Sequence, residues 1–197
     1  MEIGDRIKLQ IFRRVVDEIP LQLVTRVELE VSGTQREELV AGVLPAEFIP
    51  LRLDSRLPAR LEPDGKLRVQ LRPGHWTLEV TSRHPGNVDD LKLDPIPAPW
   101  PEEEIWVFEA RNHLRLVEVG GPINVDPAQT SLPEAWRQWP AYLMQPGSEM
   151  KFNVIRRGDP EPEPDALTLH RNLWLDFDGG GYTIQDNING TMTRGWR

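Results

Sequence analysis

Apolar and polar residues alternate with a period of two along several stretches of this chain, and this pattern constrains its fold more than any other feature. Strict alternation occurs in residues 7–11, 27–31, 67–71 and 76–80. Successive side chains of a β-strand point to opposite faces, so each stretch predicts a strand with one buried and one solvated face. Nineteen prolines among 197 residues disfavour long helices. The chain is therefore predicted to be all-β.

Turn residues separate the last two of these stretches. Pro73-Gly74 has the chemistry of a type II turn, and it predicts a hairpin between residues 66–72 and 76–81. Together with Leu57-Pro58-Ala59 and Asp64-Gly65, this pattern makes the run 53–83 resemble the small prealbumin-like sandwich modules. The resemblance implies a prealbumin-like or immunoglobulin-like antiparallel β-sandwich that is not an enzyme.

A proline-rich stretch follows this first run. Residues 94–101 are Asp-Pro-Ile-Pro-Ala-Pro-Trp-Pro, and prolines at alternate positions favour a stiff, extended linker. We therefore predict a β-sandwich module over residues 1–94, a linker over 95–101 and a second, jelly-roll-like β-sandwich over 102–197. The last residues have a strand-like sequence, so the second module is expected to be truncated at its C-terminus. The alternative is one larger sandwich in which 95–101 is a long loop.

The second half contains signals for one short helix and for several strands. A helix near 131–139 can only be short, because Pro140 stops it. The dipeptide Asn189-Gly190 predicts a type I′ hairpin between residues 182–188 and 191–196. Residues 159–165, with three prolines and four acidic side chains, predict an exposed acidic loop.

Three groups of residues in the second half carry a further resemblance. They are Asn124-Val125-Asp126-Pro127, Leu132-Pro133-Glu134-Ala135-Trp136 with Pro140-Ala141-Tyr142, and Leu173-Trp174-Leu175-Asp176-Phe177-Asp178-Gly179. They resemble the β-modules of long uncharacterised bacterial envelope-associated proteins, which carry a membrane anchor elsewhere. The sequence itself assigns no compartment. The resemblance implies no activity and a place in the periplasm or cell envelope as part of a longer anchored protein.

Composition excludes several classes of site. The chain has no cysteine, which excludes disulfides, thiolate catalysis and cysteine zinc sites. A net charge of −8 argues against nucleic acid as a partner. A basic cluster at residues 56–72 is interleaved with Glu62 and Asp64 and is interpreted as a solvated strand face. No apolar run approaches the roughly 20 residues that a membrane-spanning helix needs, so this segment is not expected to insert into a membrane.

Motifs for catalysis and metal binding are also missing. The four histidines lack metal-binding spacing, no serine lies in a nucleophile elbow, and no phosphate-binding loop is present. We therefore predict no catalytic residue, no metal site and no cofactor. An acid–base hydrolase would need two carboxylates from different strands facing each other across a cleft.

The best candidate for a ligand site is the stretch from Asn172 to Asp178. Alternation places Trp174, Asp176 and Asp178 together on one face. An aromatic ring beside two carboxylates is typical of a sugar-binding face. The two aspartates could also chelate calcium, but the third ligand and the distal glutamate of an EF-hand are absent. A glycosidase pair would have to flank the scissile bond instead of sharing one strand. The other interpretation is a strand whose polar outer face runs into a turn.

These observations favour a non-catalytic structural or interaction module of a larger bacterial protein. Its partner would be another protein or other domains of the same parent chain. The alternative is a carbohydrate-binding module that holds a glycan on the face of Trp174, Asp176 and Asp178. Among the seven tryptophans, Trp100, Trp174 and Trp196 are the candidates for exposure.

Overall fold

A computed structural model describes residues 4–158 and 166–192, and these residues form an all-β protein, as predicted. The strands are β1 (Arg6–Val16), β2 (Gln22–Ser32), β3 (Arg36–Val40), β4 (Ile49–Ser55), β5 (Ala59–Leu61), β6 (Leu67–Leu71), β7 (Gly74–Arg83), β8 (Asp90–Lys92), β9 (Glu104–Glu109), β10 (Arg115–Gly120), β11 (Ile123–Val125), β12 (Ala141–Met144), β13 (Glu149–Arg157), β14 (Ala166–Leu175) and β15 (Tyr182–Thr191). Single 3-10 turns lie at Pro127–Gln129 and Glu134–Trp136, the second of them where a short helix is predicted. The chain divides into two compact units, Met1–Gly158 and Asp159–Arg197.

The first unit is built on one long sheet. This central sheet has the strand order β11-β12-β9-β1-β2-β7-β4, and its β1 and β9 run parallel while the other neighbours are antiparallel. Two small antiparallel sheets accompany it: sheet B, with the order β3-β6-β5, and sheet C, with the order β10-β13-β8. Side chains at odd-numbered positions of β1 contribute to the hydrophobic cores beneath sheet B and beneath sheet C. Both small sheets therefore pack on the same face of the central sheet.

Two hydrophobic cores lie side by side on this inner face. Core 1 joins the central sheet to sheet B, and core 2 joins it to sheet C. Strand β1 serves both cores, since Leu9 and Ile11 lie in core 1 and Val15 lies in core 2. Strand β2 likewise contributes Leu29 to core 1 and Leu23 to core 2. The two cores therefore share a single sheet instead of belonging to separate sandwiches.

This shared sheet differs from the predicted division at residues 95–101. The strand after the proline-rich stretch, β9, pairs with β1 at the other end of the sequence. The strand just before the stretch, β8, pairs with β13. Parts of both predicted modules thus form the same sheets, and the compact units divide after Gly158 instead. Alternating prolines do favour an extended chain, but an extended segment can also cross over a sandwich without separating domains.

The predicted hairpin of residues 66–72 and 76–81 is wrong. Strand β6 pairs with β3 and β5 in sheet B, whereas β7 pairs with β2 and β4 in the central sheet. Pro73-Gly74 therefore connects the two layers of the sandwich. The apolar faces of both strands do meet in core 1. Two strands can share a core when they pair in one sheet and also when they lie in two sheets packed face to face. Alternation of apolar residues alone does not distinguish these two arrangements.

The outer face of the central sheet is covered over part of its area. Phe12 and Val24 lie on this face, and they pack with Leu132 and Trp136 from the segment between β11 and β12. Arg14 lies on the same face, with its guanidinium 5.3 Å from the ring centre of Trp136 and 5.2 Å from that of Trp139. The segment with the two 3-10 turns thus forms a third layer.

A buried ion pair marks the boundary between core 1 and core 2. Arg13 lies on the inner face between Ile11 and Val15, and it is only 1% exposed. Its Nε donates a hydrogen bond of 2.6 Å to Oε2 of Glu104, which is also 1% exposed. A second guanidinium nitrogen donates to the backbone carbonyl of Gly42 at 2.8 Å. Charge neutralisation and hydrogen bonds together make burial of this arginine tolerable.

Two indoles complete the hydrogen bonding of the Glu104 carboxylate. Trp100 Nε1 donates to Oε1 at 2.8 Å, and Trp106 Nε1 donates to Oε2 at 2.6 Å. The guanidinium carbon of Arg13 lies 5.8 and 5.6 Å from the two ring centres, a cation–π distance. This network joins β1, β9 and the proline-rich stretch in one place. Trp100, one of the three candidates for exposure, is therefore buried, since it is only 8% exposed.

A second buried ion pair fastens the end of β1 to sheet C. Asp17 follows β1 and is fully buried, and its Oδ1 accepts a hydrogen bond of 2.8 Å from Nε of Arg115 in β10. The backbone N–H of Asp17 donates to the carbonyl of Glu109 in β9 at 3.0 Å. The pair therefore connects the central sheet with the layer above it.

The second unit contains the antiparallel hairpin of β14 and β15. Its turn lies between Leu175 and Tyr182, so the predicted type I′ hairpin at Asn189-Gly190 is wrong within the described residues. Asn189 does not have the positive φ that this turn needs, and β15 continues through Gly190. A Cβ at Gly190 would lie 2.0 Å from the carbonyl oxygen of Ala166. The absence of a side chain therefore allows β14 and β15 to approach each other closely here. The predicted acidic loop at 159–165 and Trp196 lie outside the described residues.

Candidate functional site

One face of the β14–β15 hairpin is apolar and solvent-exposed. Directly opposed residues of an antiparallel pair point to the same face, and the register pairs Leu173 with Ile184 and Leu175 with Tyr182. Seven large apolar side chains share this face: Leu167, Leu169, Leu173, Leu175, Tyr182, Ile184 and Ile188. Each is between 51% and 66% exposed. We call these seven residues the apolar hairpin face.

A single ion pair interrupts the apolar hairpin face near its middle. Arg171 lies opposite Asp186 in the register, and its Nε and one terminal nitrogen donate to the two carboxylate oxygens at 2.7 Å each. The hydrogen bonds from Arg171 hold the pKa of Asp186 below its ordinary value, and the same bonds raise the pKa of Arg171. The face is therefore electrically neutral while both residues are charged.

The turn of the hairpin uses the two candidate aspartates as structural groups. The backbone N–H of Asp176 donates to the carbonyl of Gly181 at 3.0 Å, and its Oδ1 accepts from Thr183 Oγ1 at 3.2 Å. Oδ1 of Asp178 accepts from the backbone N–H of Gly180 at 2.9 Å. Each carboxylate thus satisfies a donor of its own hairpin, as aspartates commonly do in turns.

Trp174 occupies the face opposite to the apolar hairpin face. Its register partner is Thr183, and its side chain is 51% exposed. Since Thr183 also donates to Asp176, an aromatic surface and one carboxylate lie on the same side of the hairpin end. Asp178 belongs to the turn, with its carboxylate directed to Gly180. The structure therefore places Trp174 and Asp176 on the same side of the hairpin end, whereas Asp178 belongs to the turn.

A small cavity in the first unit lies between the central sheet, the β3–β4 connection and β8 with the residues that follow it. It has a volume of about 180 Å³, and its lining includes Arg13, Phe48, Leu93, Ile96 and Trp106. Pockets for small molecules are usually about 300–1,000 Å³. Lys92 and Asp94 also line it, and the Arg13 guanidinium is already bound to the Glu104 carboxylate. This cavity is a less favourable candidate than the hairpin.

Charged groups elsewhere on the first unit form local ion pairs. Arg68 contacts both Glu62 and Glu37, and Arg60 donates to Glu62 at 3.0 Å. These contacts lower the pKa of Glu62 and raise the pKa of Arg68, chiefly through the hydrogen bond between them. The basic cluster at 56–72 is therefore largely neutralised by its own neighbours.

Two further findings concern metals and membranes. Within residues 4–158 and 166–192, no group of three or more His, Cys, Asp or Glu side chains is arranged to hold a metal ion. None of the helical segments in these same ranges has the length and apolar character required to cross a bilayer.

Comparison with known proteins gives no match to a family model, to a curated protein or to a solved structure. The interpretation of the site therefore depends on its geometry and chemistry.

The apolar hairpin face is the feature that sequence reasoning missed. Alternation in residues 172–177 already places Leu173 and Leu175 on one face. That face was expected to be buried in a second sandwich, whereas the structure leaves it exposed. Residues 182–188 show the same alternation of apolar and polar side chains, which is the sequence signal for this face. The two apolar rows form one face only if the strands pair across the turn at 176–181.

Proposed function

We propose that this chain is a non-catalytic interaction module whose contact surface is the apolar hairpin face. The single observation that carries the proposal is the row of seven exposed apolar side chains on β14 and β15. Contiguous apolar patches of several hundred Å² are uncommon on monomers and mark interaction sites. An isolated two-stranded hairpin is also only marginally stable in water, and it gains stability when another layer covers it.

The first unit is the scaffold in this proposal. It has two filled cores, two buried ion pairs and a third layer on part of its outer face. Its proposed role is spacing or docking within a larger bacterial envelope-associated protein, as the resemblance of residues 124–179 implies. The partner on the apolar hairpin face would be a protein, because a broad, nearly uninterrupted apolar surface offers few polar groups for recognition of a small ligand.

The test is photo-crosslinking in bacterial cells that express the chain. A photoreactive amino acid replaces Leu173 on the apolar hairpin face, or Asn172 on the opposite face as a matched control. We expect a discrete protein adduct from position 173 and none from position 172, because only the first side chain lies in the proposed contact. Adducts are identified by mass spectrometry. Equal yields from both positions, or no adduct from either, would show that this face is not a contact surface.

A second candidate function is glycan binding at Trp174 and Asp176. The exposed indole and the adjacent carboxylate favour it, since sugars stack on aromatic rings and donate hydroxyl hydrogens to carboxylates. We expect a glycan array to remain silent, because Thr183 already donates to the Asp176 carboxylate and both groups lie on an exposed surface of the hairpin. Binding that disappears in both Trp174→Ala and Asp176→Asn would place the function on this face instead.

A further inference from the structure

We propose that the partner of the apolar hairpin face is the same face of a second copy of this chain. Two hairpins would stack face to face as a small four-stranded sandwich, with their sheets about 10 Å apart. This inference rests on the proposed function and adds the identity of the partner to it.

The area of the face is sufficient for a stable dimer. Seven large apolar side chains, each more than half exposed, present roughly 100 Å² apiece and therefore about 700 Å² per copy. Pairing two copies would bury about 1,400 Å² in total, within the usual range of about 1,200–2,000 Å² for specific protein interfaces. A small ligand would leave most of this surface in water.

The charge arrangement of the face favours a second copy over a different protein. The face carries one cation, Arg171, and one anion, Asp186, on neighbouring strands. In a two-fold dimer the same patch contacts itself. A two-fold axis parallel to the strands, midway between β14 and β15, places each strand over the other strand of the facing copy. Arg171 of one copy then lies over Asp186 of the partner subunit, and the reverse contact forms as well.

This symmetry predicts a specific response to charge changes. Arg171→Asp leaves two negative charges on each face, and Asp186→Arg leaves two positive charges. Either variant alone would bring like charges together in an apolar interface, which is strongly unfavourable. We expect each to weaken self-association by about 100-fold or more. A mixture of the two variants would bring opposite charges together, so it is expected to form a heterodimer.

The experiment is analytical ultracentrifugation of the purified full chain and its variants across the accessible concentration range. We expect dimers for the wild type, monomers for each single variant, and dimers again for their equimolar mixture. Asn172→Asp, on the opposite face of β14, is the control and should leave the dimer unchanged. Rescue on mixing separates lost association from a hairpin that has simply unfolded, because an unfolded hairpin has no complementary face.

Other outcomes overturn the inference in ways that can be told apart from failure of the proposed function. A wild-type chain that stays monomeric throughout, or a mixture that gives no heterodimer, would overturn self-association. If position 173 nevertheless crosslinks to a different protein, the contact role stands and only the identity of the partner changes. If position 173 also gives no adduct, the contact role and the inference fall together.

Discussion

Replacing Glu104 with Leu is expected to lower the free energy of unfolding by about 3–5 kcal/mol, the usual result of removing one partner of a buried ion pair. Arg13 would remain between the two cores without a counter-charge. The indoles of Trp100 and Trp106 would also lose their hydrogen-bond acceptor. Urea unfolding followed by tryptophan fluorescence and by circular dichroism measures the loss.

Two further variants test the reason for this loss. Glu102→Leu changes an exposed glutamate two residues away, and we expect its effect to stay within about 0.5 kcal/mol. The double variant Arg13→Met with Glu104→Leu removes both charges, and it should recover the part of the loss that comes from the uncompensated arginine. The part that comes from the two indole N–H groups should remain, because they still have no acceptor. A loss below about 1 kcal/mol for Glu104→Leu alone, typical of a harmless surface change, would contradict the role assigned to this network.

Replacing Phe12 with Ala is expected to lower the free energy of unfolding by about 3–5 kcal/mol, the range for truncating a buried aromatic side chain. Phe12 is 1% exposed and packs with Leu132 and Trp136 on the outer face of the central sheet. The matched control is Gln10→Ala, on the same strand and the same face. Gln10 is exposed, since the third layer does not cover it, so its replacement should change stability by less than about 0.5 kcal/mol.

Comparison of the two variants decides whether the third layer exists. Similar, small effects of Phe12→Ala and Gln10→Ala would mean that the segment between β11 and β12 does not cover the sheet. Denaturant unfolding of both variants under identical conditions provides the measurement.

The strands of the first unit are largely predictable from local sequence, but their neighbours are not. Residues 7–11, 27–31, 67–71 and 76–80 all lie in strands, as their alternation indicates. Alternation specifies which side chains are buried, and it contains no information about which strand supplies the opposing residues. The parallel pairing of β1 with β9 joins residues more than ninety positions apart. No local pattern signals such a contact, so two modules were expected where one shared sheet occurs.

Polar groups in the core show a second limit. Arg13 follows Ile7, Leu9 and Ile11 on the inner face, where alternation predicts another apolar residue. From the sequence alone, an arginine at that point indicates the end of the buried part of a strand. Only the contact with Glu104 explains why Arg13 is buried there. The same holds for Trp100, whose position in a proline-rich stretch indicates exposure. Its burial depends on a hydrogen bond to Glu104 that only the tertiary structure forms.

The ligand site predicted from the sequence and the apolar hairpin face lie on opposite faces of the same strand, β14. Exposed Trp174 is placed as predicted, on the opposite side of β14 from Leu173 and Leu175. Local turn statistics favour a tight hairpin turn at Asn189-Gly190, and the sequence predicts one there. The structure instead pairs two ten-residue strands of matching alternation. Longer pairing gives more backbone hydrogen bonds and a continuous apolar face, which outweigh the preference of one dipeptide.

The central structural claim is that one shared sheet makes both cores of the first unit a single cooperative structure. Native-state hydrogen exchange of the wild-type chain tests it most directly, by comparing the slowest amides of β2 and β7 with those of β9 and β12. The shared sheet predicts that both groups exchange through the same global opening, with free energies that agree within about 1 kcal/mol. Exchange of β9 and β12 through a separate opening several kcal/mol lower, while β2 and β7 remain protected, would contradict the shared sheet and restore two independent modules.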